Sequence, residues 1–95
     1  MNTLHIEIIG NSNEDCRFLE NNVLTAMVKL GITAHVNCIA DAEEVKRRRL
    51  GCTPVLTING RVVSQGQNIS SRHIQTFLRE ATDVSQHGDF LSRMF

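Results

Sequence analysis

The chain has 95 residues, 41% of them hydrophobic, with ten basic side chains against ten acidic ones, three cysteines and a single proline. That length predicts one small domain with one core, and the composition excludes a disordered or low-complexity chain. Balanced charge provides no global field for nucleic acid or membrane surfaces. No apolar run is long enough to span a bilayer, and the first residues lack the charged start and apolar stretch of a signal peptide. A cytoplasmic protein is therefore expected, with no nucleic-acid or membrane partner. Its odd cysteine count suits reduced thiols better than a disulfide framework.

Residues 4–9 alternate and then turn fully apolar, which predicts a buried first strand; Gly10-Asn11-Ser12-Asn13 breaks it. From Cys16 onward, Leu19, Val23, Met27 and Leu30 recur at helical spacing, with Leu24 and Ala26 widening the stripe. Gly31 is a natural stop. Residues 32–39 form a second strand with Ala34, Val36 and Cys38 on one face. Asp41, with Glu44 three residues on, reads as a capping box opening a short helix. That helix carries Val45 and the basic run Lys46-Arg47-Arg48-Arg49. Residues 54–58 and 61–64 are strands joined at Asn59-Gly60, a strong hairpin signal. Ser70 or Ser71 then caps a last helix with Ile74, Phe77 and Leu78 on one side.

The element order is βαβαββα. A strand–helix–strand start gives a right-handed parallel crossover, and the hairpin adds an antiparallel pair. The expected fold is α/β, a four-stranded mixed sheet with helices on both faces, over residues 1–81. Residues 82–95 form a C-terminal extension. Within it, Phe90, Leu91, Met94 and Phe95 share one face if residues 89–95 are helical. Such an apolar set is expected to dock on the domain or to pair two copies as a homodimer.

Two stretches carry the chemistry. Ile8-Ile9-Gly10-Asn11-Ser12-Asn13-Glu14-Asp15-Cys16 reads as strand, tight loop and helix start, and Cys52-Thr53-Pro54-Val55 sets a Thr-Pro step at the opening of a strand. With the element order, these resemble the small thioredoxin-like redox-active disulfide proteins, relatives of the archaeal thioredoxin/glutaredoxin-like proteins. In that family the helix opens with Cys-x-x-Cys-Lys, and a cis proline follows a threonine across a cleft. Cys16 and Pro54 match this pattern, whereas Asn13 stands where the first cysteine would be. The resemblance implies a thioredoxin-like fold, a cis Thr53–Pro54 peptide and a cleft between that turn and the helix start.

Thioredoxin chemistry uses an exposed first thiolate that attacks a disulfide and a second thiol that resolves the mixed disulfide. Asn13 cannot form a mixed disulfide and is expected to cap the helix instead. Cys16 falls in phase with Leu19 and Val23, so it points to the core, and the neighbouring Glu14 and Asp15 disfavour a thiolate. A buried, unreactive thiol is preferred over a nucleophile. The topology brings Cys38 and Cys52 toward the same edge as Cys16, leaving open a rewired pair with either one, although Cys38 packed on the sheet and Cys52 as a loop residue is the preferred reading. Their spacing offers no compact C-x-x-C knuckle, so neither metal nor cofactor is called for.

The Thr53-Pro54 turn has its own use. By the resemblance, it exposes backbone that pairs with an extended substrate segment, a strand addition that needs no thiol. The basic run points in all directions on a short helix and has no aromatic platform beside it; a solvated helix end favoured by the dipole accounts for it. The sequence thus reads as a binding or accessory protein with a degenerate active site, taking a protein or peptide at a cleft of Asn13, Thr53 and Pro54. The alternative is an unusual thiol-disulfide oxidoreductase using Cys16 alone, or with Cys52 or Cys38.

Overall fold

A computed structural model describes residues 3–86. The chain runs β1 (Leu4–Gly10), α1 (Asn13–Leu30), β2 (Ala34–Ala40), α2 (Ala42–Arg47), β3 (Val55–Ile58), β4 (Arg61–Gln65) and α3 (Ser71–Gln86). The strands form one sheet in the order β2-β1-β3-β4. β1 pairs parallel with β2 and antiparallel with β3, and β3 pairs antiparallel with β4. This is the expected mixed sheet in the expected order. α3 continues past residue 81, and the apolar set at 89–95 lies outside the described residues.

β1 and β3 are the inner strands, and their β-branched residues suit a sheet buried on both sides. Leu4, Ile6 and Ile8 alternate onto one face and meet Leu19, Val23 and Ala26 of α1 and Ile74 and Leu78 of α3. Ile9 points the other way, where it packs with Val55 and with Val45 of α2. Helices therefore cover both faces, two on one side and the short α2 on the other. The stripe on α1 is narrower than its apolar residues suggest: Leu24 is 44% exposed and Val28 81%. Those two positions fall on the side of the helix turned away from the sheet.

The ends of the elements follow local rules. Gly31 closes α1 in the left-handed conformation (φ 65°), with its N–H on the Val28 carbonyl and that of Ile32 on the Met27 carbonyl. That closing turn uses up Ile32, so β2 begins at Ala34 rather than at residue 32. Asn59 and Gly60 both take positive φ (52° and 83°), as a tight two-residue hairpin turn requires. Asn59 also bonds back to β1, its N–H on the His5 carbonyl at 2.7 Å and its Oδ1 accepting from the His5 N–H at 2.9 Å.

α2 departs from the sequence reading in its charges. Asp41 caps it as expected, its Oδ1 accepting from the Glu43 N–H at 2.9 Å. Glu44 does not complete the capping box, because its carboxylate turns to Arg47 and Arg48, both at 2.6 Å. Arg48 also reaches Glu7 on β1 at 3.0 Å. Two of the four cations of the basic run are thus engaged within the domain, and the pull of the two arginines holds the Glu44 carboxyl below its usual value.

Candidate functional site

The site is built where β1 ends and α1 begins. Gly10 is required there by close approach: a methyl group at its Cα would lie 2.9 Å from both Asp15 Oδ2 and Cys16 Sγ. The strand therefore passes directly beneath the first turn of α1. Ser12, not Asn13, caps that turn, its Oγ accepting from the Asp15 N–H at 3.2 Å. Asp15 returns the favour by accepting from the Asn11 N–H at 3.0 Å. Asn13 becomes the first helical residue, exposed to solvent. Its expected capping role passes to Ser12, and Ser12 followed three residues later by Asp15 is the capping-box pattern that identifies it in the sequence.

Across from this turn lies the Thr-Pro step. The Thr53–Pro54 peptide is cis. Pro54 is buried where β3 opens, and Thr53 is half-buried. Asn11 Nδ2 donates to Thr53 Oγ1 at 3.2 Å, joining the loop before α1 to the loop before β3. Gly66 at the end of β4 donates its N–H to the Pro54 carbonyl at 2.9 Å and holds the turn from its other side. Asn11, Ser12, Asn13, Gly51 and Cys52 are exposed around it.

The three thiols occupy distinct settings. Cys16 is fully buried, with Sγ 3.8 Å from the Ile8 carbonyl and 3.9 Å from the Ile39 carbonyl. Burial pushes its thiol up to about 12, and the nearby Cys38, Asp15 and Glu20 side chains add to the effect. Cys38, on the edge strand β2, is half-buried against the same core. Cys52 is exposed and sits against Gly66, where a methyl group would come within 2.6 Å of its Cβ. The convergence expected of all three thiols thus reduces to Cys16 with Cys38. The strand order explains this, since Cys52 rests against the end of β4 at one edge of the sheet and Cys38 belongs to β2 at the other.

Elsewhere, a hollow of about 490 Å³ lies toward the start of β1 and β2, lined by His5, Glu7, His35 and Asn37 among others. The His5 and His35 rings stack there with centroids 5.1 Å apart. Among the described residues, no three His, Cys, Asp or Glu side chains are grouped so as to hold a metal ion. Nor is any described helix long and apolar enough to cross a membrane.

A mixed sheet in the order β2-β1-β3-β4, a helix starting over the end of β1 and a cis Thr-Pro step facing it define a thioredoxin-like domain. The family model described as "Thioredoxin domain" matches residues 4–79, and the chain belongs to that family. Among curated proteins it is similar to a thioredoxin of Methanothermobacter thermautotrophicus (strain Delta H). The two are 28% identical over 75 residues, covering 79% of this chain and 97% of that protein.

Proposed function

We propose that this is a thioredoxin-like binding or accessory protein whose active site is degenerate. It would dock an extended protein or peptide segment at the cleft of Asn13, Thr53 and Pro54 without exchanging disulfides there. One observation carries the reading: the exposed first position of α1 is Asn13, whereas Cys16 is fully buried with its proton tightly held. An amide at that position has no leaving-group or nucleophilic chemistry toward a disulfide. It does have two donors and an acceptor for a peptide backbone. The docking half of the site is supported independently by the Asn11–Thr53 bond, which joins the two loops. Strand addition beside such a turn relies on main-chain hydrogen bonds, so it survives the loss of a thiol.

The test uses an extended chain with its own cysteines blocked, for which reduced and carboxymethylated insulin B chain serves as probe. Amide signals of Asn11–Asn13, Thr53 and Val55 are expected to shift on titration, while no thiol of the protein is modified. Shifts confined to other parts of the chain would overturn the reading. So would robust disulfide reduction by the unaltered protein that disappears in Cys16→Ser. A second reading, thiol chemistry away from the cleft, is favoured by Cys38 packing against the core cluster that contains Cys16.

A further inference from the structure

We propose that Cys16 and Cys38 are a disulfide-forming pair, oxidised by exchange with a low-molecular-weight disulfide that the Cys38 thiolate attacks and Cys16 then resolves. The pair joins a helix to a strand, instead of spanning one turn of a single helix.

The geometry supports this in three ways. Cys16 Sγ lies 3.9 Å from the carbonyl of Ile39, the residue after Cys38. It lies 3.8 Å from the carbonyl of Ile8, which is the register partner of Cys38 across the β1–β2 ladder. The thiol of α1 therefore hangs over the rung that carries Cys38. Alternation along β2 puts Cys38 on the face of Ala34 and Val36, and all three pack against the core cluster that contains Cys16. Gly10 makes the approach close, since any side chain there would meet the Cys16 sulfur.

Accessibility sets the order of events. Cys38 is half-buried on an edge strand, while Cys16 has no exposed surface. In the first step the Cys38 thiolate attacks one sulfur of oxidised glutathione. A bond forms between Cys38 and that sulfur, and the other half leaves as a thiolate that takes up a proton. In the second step Cys16 gives up its proton and attacks Cys38 Sγ. The Cys16–Cys38 bond forms, the remaining glutathione leaves as its thiolate, and that thiolate is protonated in turn. Two protein thiols are oxidised and one disulfide is reduced to two thiols, so atoms and electrons balance. Burial makes Cys16 a poor first attacker, yet the second step is intramolecular and gains from enforced proximity.

This proposal does not use the Thr53–Pro54 cleft, and its readout is a covalent mass, so it stands or falls separately from peptide docking. The reduced full chain is incubated with oxidised glutathione without denaturant, quenched in acid and mapped by mass spectrometry after digestion. The expected product is a Cys16–Cys38 linked peptide lighter by two hydrogens, with any glutathione on Cys52 as a separate adduct. Cys52→Ser is expected to leave the linkage unchanged. Cys16→Ser is expected to trap glutathione on Cys38. A map with Cys52 modified and Cys16 and Cys38 both still reduced would overturn the proposal, as would a Cys16–Cys52 linkage. The unaltered chain alone decides between these outcomes, so a variant that fails to fold does not blunt the test.

Discussion

Asn11 and Thr53, 42 positions apart in the chain, are joined by a side-chain hydrogen bond of 3.2 Å. The bond connects the loop that launches α1 to the loop that carries the Thr53–Pro54 step. Neither loop belongs to the sheet, and this contact ties one directly to the other.

Removing either partner should therefore loosen the link between the two loops before it harms the fold. Asn11→Ala and Thr53→Val are each expected to cost about 0.5–1.5 kcal/mol, the usual net worth of such a bond. The double variant should cost less than the sum of the two, because both remove one interaction. Urea midpoints of the four proteins give the coupling. Strictly additive losses would mean that the bond contributes nothing.

Gly10 makes a sharper prediction. A methyl group at that position would lie 2.9 Å from both Asp15 Oδ2 and Cys16 Sγ. Cys16 is packed in the core and has little room to move, so Gly10→Ala must push α1 away from β1. Overpacking of this kind costs roughly 1–3 kcal/mol. Thermal unfolding compared with Gly31→Ala separates the causes, because Gly31 has nothing near its would-be methyl and suffers only from its positive φ.

Most of the fold was legible because its signals are local. The Asn59-Gly60 turn, the Gly31 stop, the Asp41 cap and the two-residue and helical periodicities each fix one element from neighbours in the chain. Burial of Cys16 was legible for the same reason, through its phase with Leu19 and Val23. Three features were not. Leu24 looked like part of the stripe, but the position of the sheet decides which edge of a helix is buried. Glu44 looked like a capping-box acid, but two arginines one turn on offered it stronger, charge-assisted bonds. The seat of Cys52 against Gly66, at the opposite edge of the sheet from Cys38, depends on strand order, which no local pattern encodes.

Placing a thiol at residue 13 tests the proposed reading of the site by gain rather than loss. The unaltered protein is expected to give negligible dithiol-dependent reduction of insulin. Asn13→Cys puts a thiol at an exposed first helical position, where the helix N-terminus favours its thiolate. Measurable turnover is expected, and it should vanish again when Cys16 is also replaced by serine. A folded Asn13→Cys protein with no turnover would mean that Cys16 is too deeply seated to resolve a mixed disulfide.

The last prediction concerns pH. An ordinary cysteine loses its proton near 9.0, and burial holds the Cys16 thiol protonated up to about 12. Between those values the unfolded chain has released the Cys16 proton and the folded chain retains it. The unfolded state then binds fewer protons, so stability falls as pH rises through this window. Below about 9 the contribution of Cys16 is fully present. The chain has no tyrosine, which leaves the other thiols, the lysines and the arginines as the background in the alkaline range. Cys16→Ala carries the same background without the buried thiol, so the two proteins must be compared under reducing conditions. The urea midpoint of the unaltered protein is expected to fall more steeply above pH 9 than that of Cys16→Ala. Parallel profiles would show that the Cys16 proton is no more tightly held in the folded chain than in the unfolded one.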